Sequence, residues 1–164
     1  MIEARIEEVI FGPEENISDF VIGEINKAKN TVDIMAFWFT WLPIAESVVM
    51  ASKRGVKVKI IVDERSVEKK QKDVHKNEIE VVPYFLDNNL RNMVKIYSGE
   101  LLHYKTVLID DNIVLNGTCN FFNGSLNRHE EHYMKIISKE LKLVFDKQFN
   151  KLWNEKSYLA EGKK

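Results

Sequence analysis

Two short runs rich in β-branched and aromatic residues, TVDIMAFWF at 31–39 and VKVKIIV at 56–62, constrain the fold most. Such side chains suit a pleated surface that is covered rather than bathed in water. Between the runs, Pro43 fits the first turn of a helix that continues to Arg54, and Gly55 is its natural stop. Ahead of them, residues 5–11 read as a strand ending at Gly12-Pro13. Asn16 can then cap a helix over 17–29, with Ile17, Phe20, Val21, Glu24 and Ala28 near helical spacing. The first 62 residues therefore alternate strand and helix, the signature of parallel strands covered by helices.

The remainder predicts a polar helix over 67–77, then strands over 79–85, 93–97, 104–109, 113–115 and 132–137. Asp110-Asp111-Asn112 makes a good turn between the third and fourth of these. An amphipathic helix over 141–153 closes the pattern, with Leu141, Val144, Phe145, Phe149 and Leu152 on one face. The expected class is α/β: a mixed, mostly parallel sheet sandwiched between helices. With 164 residues and neither repeat nor linker, residues 1–164 are expected to form a single domain.

Charge narrows the function. The net charge of −1 gives no global attraction to polyanions. Its distribution is polarised: residues 1–50 carry −6 and residues 51–80 carry +3, with bases dense from Lys53 to Lys76. That stretch is either a solvated helix face or a patch that tracks phosphates. The single cysteine, Cys119, excludes an intrachain disulfide and fits a reducing compartment. Residues 1–11 lack the basic start and apolar stretch of a leader, and no run is long enough to span a bilayer. The expectation is a chain without a membrane anchor.

The chemistry concentrates in HYKTVLIDDNIVLNGTCN, residues 103–120. On an extended strand His103 and Lys105 share a face, about 7 Å apart, so one phosphate can touch both. A histidine there can attack phosphorus or donate a proton, and a lysine can neutralise the non-bridging oxygens. Asp110 has the opposite parity, which argues for bracing a turn. Gly117 permits an unusual backbone, Thr118 offers a hydroxyl to phosphate oxygens, and Asn120 offers an amide donor without charge.

His103-x-Lys105-x4-Asp110-x6-Gly117-Thr118-x-Asn120 resembles the HKD signature of the phospholipase D superfamily. The upstream IMAFWFT and RGVKVKIIVDER are similar to the short bacterial endonucleases of that superfamily. The family usually carries serine where this chain has Thr118. The resemblance implies a phospholipase D-like fold and a catalytic set of His103, Lys105, Asn120 and Asp110. Glu131 joins them as the carboxylate that accepts from Nδ1–H of His103. It also implies a homodimer: family members unite two motifs in one site, and this chain has one. The implied reaction passes through a phosphohistidine and uses no metal and no cofactor. The implied substrate is a phosphodiester, in DNA or RNA by the endonuclease likeness or in a phospholipid headgroup. A catalytically silent nucleic-acid-binding protein is the alternative from another class.

Other polar groups carry weaker readings. Trp38 and Trp41, in the aromatic stretch 36–41, are either core or a stacking surface for bases, with a membrane-interface role a third option. His129 and His132 with the intervening glutamates faintly suggest a metal site, as does Asp63 with Glu68 and Lys70. Asp63, Glu64 and Arg65 read equally as a loop brace or a substrate rim. Cys119 reads as a packed thiol rather than a nucleophile.

Overall fold

The computed structural model describes residues 1–68 and 75–161. In chain order the strands are β1 (Arg5–Gly12), β2 (Thr31–Ala36), β3 (Lys57–Asp63), β4 (Val94–Tyr97), β5 (Lys105–Ile109), β6 (Ile113–Gly117), β7 (Glu131–Ile137) and β8 (Ser157–Leu159). The helices are α1 (Ile17–Lys27), α2 (Leu42–Lys53), α3 (Glu64–Glu68), α4 (Val81–Asp87), α5 (Asn123–Asn127) and α6 (Lys139–Glu155). The strands form one sheet in the order β1-β7-β6-β5-β2-β3-β4-β8.

Helices cover both faces of the sheet. On one side α1, α2 and α4 bury Ile17, Val21, Ile25, Ile44, Val48 and Phe85 against β2, β3 and β5. On the other, Phe149 and Leu152 of α6 pack with Met35, Ile61, Leu108 and Val114. The alternation of β5 explains its two-sided burial: Val107 and Ile109 join the first cluster, Leu108 the second. The capping chemistry is as expected. The Asn16 side chain accepts from Asp19 N at 2.9 Å, Pro43 sits in the first turn of α2, and Gly55 follows that helix at φ 91°. Ser138 caps α6 by accepting from Leu141 N at 3.1 Å.

The α/β class and the helix-covered mixed sheet are as expected, but the balance of pairing is not. Among the described residues only β2–β3 and β3–β4 run parallel, and the other five pairings are antiparallel. The strand–helix alternation of the first 62 residues does not extend to the hairpin-like second half. Of residues 79–85, expected as a strand, those from Val81 onward lie instead in α4. Val81, Val82, Phe85 and Leu86 are buried there at helical spacing, and Pro83 occupies a first-turn position whose N–H needs no intrahelical partner. The expected strand over 31–39 stops at Ala36, where its ladder with β5 runs out at Lys105. Most of the polar helix expected over 67–77, with Lys69, Lys70 and Lys72 of the basic stretch, lies outside the described residues.

Candidate active site

The site forms where β5 begins. Phe37 N donates to Tyr104 O at 2.9 Å, which extends the β2–β5 pairing past its last ladder residue and aligns the lead-in carrying His103. His103 is exposed, whereas Lys105 is buried at 7 % exposure. The Phe37 ring lies between them, with its centroid 5.2 Å from the His103 ring and 5.6 Å from Lys105 Nζ. The parity argument for a shared face therefore holds. Lys105 Nζ donates to His103 O at 2.9 Å, which leaves further ammonium protons for a ligand. Burial lowers the Lys105 pKa, and the Glu131 carboxylate and Cys119 push it partly back.

The backbone beneath Lys105 is held from the next strands. Tyr133 OH, on a fully buried side chain, donates to Lys105 O at 2.9 Å. Gly117 pairs with Tyr133, and a Cβ at Gly117 would lie 2.7 Å from Tyr133 Cδ2 and against His132 O. Glycine is needed there because the backbones approach closely, not because of an unusual φ.

Asn120 and Glu131 meet through a residue that the sequence reading missed. Ser125 Oγ accepts from Asn120 N at 2.8 Å and donates to Glu131 Oε1 at 2.5 Å. Ser125 is fully buried, on a helix of five residues that propensity did not reveal. The only available hint was a serine in an Asn-Gly-Ser stretch between two expected strands. Asn120 Oδ1 is buried without a hydrogen-bond partner, the mark of an amide awaiting one. The expected acceptance by Glu131 from His103 is not among the hydrogen bonds formed within this one chain; Ser125 is its donor instead.

Two expectations, for Asp110 and Trp41, are corrected, and the one for Thr118 is narrowed to its O–H proton. Asp110 is not at the site. It stands at the far end of β5, at φ 52°, and its carboxylate accepts from the backbone N–H groups of Lys29, Asn30 and Thr31 at 2.7–3.2 Å. Burial acts to raise its pKa, but those amides outweigh burial and hold it below the usual carboxylate value. Trp41 is not a stacking surface: it is 6 % exposed and its Nε1–H donates to Ser18 Oγ at 2.9 Å. Thr118 turns its hydroxyl oxygen onto β7, where Oγ1 accepts from His132 N at 3.1 Å. Its remaining capacity is as a donor.

Trp38 is half-buried and packs edge-on against Phe37 at 5.8 Å and near Phe122 at 6.1 Å, so it belongs to the rim of the site. Asp63 is a brace. It is fully buried, accepts from both Arg65 Nη1 and Leu102 N, and Arg65 Nη2 donates to Gly99 O. Together they pin the segment that leads into His103. Cys119 is buried beside the site, and burial pushes its thiol up to about 12, which removes it as a nucleophile. His129 packs on Phe122 and His132 on Phe11, and among the described residues no three His, Cys, Asp or Glu side chains gather as a metal site.

An exposed imidazole and a buried ammonium stand together at the start of β5, on a mixed sheet covered by helices, where one phosphate can touch both. The family model described as "Cardiolipin synthase, PLD-like domain" matches residues 21–153, and the chain belongs to the phospholipase D superfamily. It is 26 % identical over 130 residues to a mitochondrial cardiolipin hydrolase of Chlamydomonas reinhardtii, covering 79 % of this chain and 54 % of that protein. It is 25 % identical over 131 residues to a phospholipase D of Rickettsia conorii, covering 80 % and 61 % respectively. The chain thus spans little more than half the length of these curated relatives. Among solved structures, the phospholipase D family member Nuc from Salmonella typhimurium superimposes with a TM-score of 0.79 at 25 % identity, covering 96 % of this chain and all of that one.

Proposed function

We propose that the protein is a metal-independent phosphodiesterase that cleaves nucleic acid, with one active site shared between two identical chains. The observation that carries this is the half-site itself. One chain supplies one exposed His103 and one buried Lys105, with Asn120 offering its Nδ2 amide as an uncharged donor. Two-step displacement at phosphorus needs a nucleophile and a separate proton donor. The likeness to Nuc, over 96 % of this chain and all of that one, supports the nuclease reading over larger two-motif architectures.

In the proposed reaction, Nε2 of His103 attacks phosphorus and forms an N–P bond while the bond to the leaving oxygen breaks. His103 of the partner subunit donates its proton to that oxygen. The same partner imidazole then takes a proton from water, whose oxygen attacks phosphorus and breaks the N–P bond. One imidazole must start neutral and the other protonated, because the first attacks while the second donates. Lys105 and Asn120 from both chains hold the non-bridging oxygens, and the ammonium groups offset the developing charge. Glu131, tied to Ser125, orients the site.

The test is cleavage of single- and double-stranded DNA in excess EDTA, by the parent chain and by His103→Ala. Cleavage lost to chelator, or kept by the variant, defeats the mechanism. A rapid alkaline denaturing quench on a labelled substrate should trap phosphate on His103. Sedimentation should show a dimer, and an active monomer would break the shared site. A second reading, hydrolysis of phospholipid headgroups, is favoured by the curated relatives' names. It predicts turnover of cardiolipin vesicles and none of oligonucleotides.

A further inference from the structure

Five rings run in sequence away from the reacting histidine. His103 meets Phe37 at 5.2 Å between centroids, Phe37 meets Trp38 at 5.8 Å, Trp38 meets Phe122 at 6.1 Å, and Phe122 meets His129 at 5.9 Å. They come from three separate segments: the lead-in to β5, the chain after β2, and the two flanks of α5. All five are half-buried or exposed, unlike the core rings Phe39, Phe85 and Phe121. Gly124 is what lets the last pair meet. A Cβ there would sit 2.7 Å from Phe122 Cε2 and 3.2 Å from His129 Nε2.

We propose that this row is a subsite for consecutive bases of a single-stranded nucleic acid, and that Phe122 and His129 make the enzyme prefer single strands to duplexes. The assignment rests on the nuclease reading. A phosphate held by His103 and Lys105 lies beside Phe37, so the adjoining bases fall along the ring row. Only unpaired bases can offer their faces to such rings, and stacking of this kind tolerates any sequence. The row is built of aromatic and imidazole rings, and it ends in an exposed imidazole. That composition suits flat heteroaromatic bases better than a lipid acyl chain.

The experiment compares steady-state cleavage of a thymidine 20-mer, a thymidine dinucleotide and a 20-base-pair duplex, with cardiolipin vesicles in parallel. The proteins are the parent chain, Phe122→Ala, His129→Ala and Phe122→Trp. For the 20-mer, each alanine variant should raise KM about five- to twenty-fold, with kcat falling by much less. The KM for the dinucleotide, too short to reach Phe122, and for the duplex, whose paired bases cannot stack, should move far less, so that the alanine variants lose the preference for single strands. Phe122→Trp should restore the parent KM for the 20-mer, and a preference kept by both alanine variants would overturn the assignment. Equal KM increases for 20-mer and dinucleotide would mean general damage and overturn the assignment, as would a 20-mer KM indifferent to both alanines. A KM rise confined to vesicles would hand the row to lipid and overturn it too. Turnover of vesicles with every oligonucleotide left intact would remove the nuclease reading itself, and the row's assignment with it.

Discussion

The two ends of β5 carry polar residues of the same motif, yet they are treated in opposite ways. At the Asp110 end the carboxylate is saturated by three backbone N–H groups, and its unusual φ is held by those bonds. At the Lys105 end an ammonium is buried with protein acceptance from one carbonyl, next to an exposed imidazole. One end has spent its hydrogen-bonding capacity on folding; the other has kept it. A scaffold residue is recognised by completed bonds, and a reacting one by bonds withheld at a cost to stability.

That contrast is broken most sharply at His103. His103→Ala should lower kcat by about 10^4-fold or more. Its melting temperature should stay within about 2 °C of the parent, because the side chain is exposed. A large loss of stability would place His103 among the scaffold residues. Lys105→Met is next. Activity should fall about 10^2- to 10^3-fold, read as kcat/KM on a DNA substrate. Stability should hold or rise, because an apolar chain replaces a buried charge with incomplete compensation.

Asp110→Ala should do the reverse. Loss of bonds to a charged acceptor and of a residue tolerant of positive φ should cost about 2–4 kcal/mol in denaturant unfolding, while kcat per folded molecule falls by less than about three-fold. The pH dependence has a definite sign. The folded pKa of Asp110 is depressed, so its contribution is complete above the unfolded carboxylate value, near pH 4, and is lost as pH falls through the lower folded value. Asp110→Asn should remove that part of the acid sensitivity.

Asp33 offers the opposite sign on β2. Burial raises its pKa to about 6, against the lowering influence of Lys142 and Lys59. A carboxyl raised in the folded state costs stability as pH climbs from the unfolded value through about 6. Asp33→Asn should therefore stabilise the protein above pH 6 by up to about 3 kcal/mol, and make no difference at pH 3.5; a benefit independent of pH would contradict this. The smallest effect is expected at Ser125. Ser125→Ala should cut kcat about ten-fold by releasing Glu131 and the Asn120 backbone together. An unchanged pH–rate profile in that variant would reduce Ser125 to packing.

Much of the fold was legible because it depends on local signals. Asn16, Pro43, Gly55 and the Asp110-Asp111-Asn112 turn act within a few residues, and they mark the observed α1, α2 and β5–β6 boundaries closely. Residues 79–85 misled because Val, Val and Phe favour strands when considered singly, while their burial pattern against Phe39 and the β-sheet is helical. The short α5 and β8 were missed because five and three residues carry too little periodicity to declare themselves.

At the site, the pairing of His103 with Lys105 was expected from strand parity, since alternation is a property of any extended chain, whereas Asp110 is separate because it stands past the opposite end of β5. Parity failed for Trp41, because the strand that was to carry it ends at Ala36 and the chain turns inward. Ser125 and the ring row had no signature in one dimension, since the row's partners lie up to 84 positions apart, from Trp38 to Phe122. The amino-acid order therefore determined the class of fold, the candidate pair and the family. Which polar groups are spent on the scaffold and which remain open was decided only when distant segments packed, because a hydrogen bond is satisfied by whatever folding brings within reach of it.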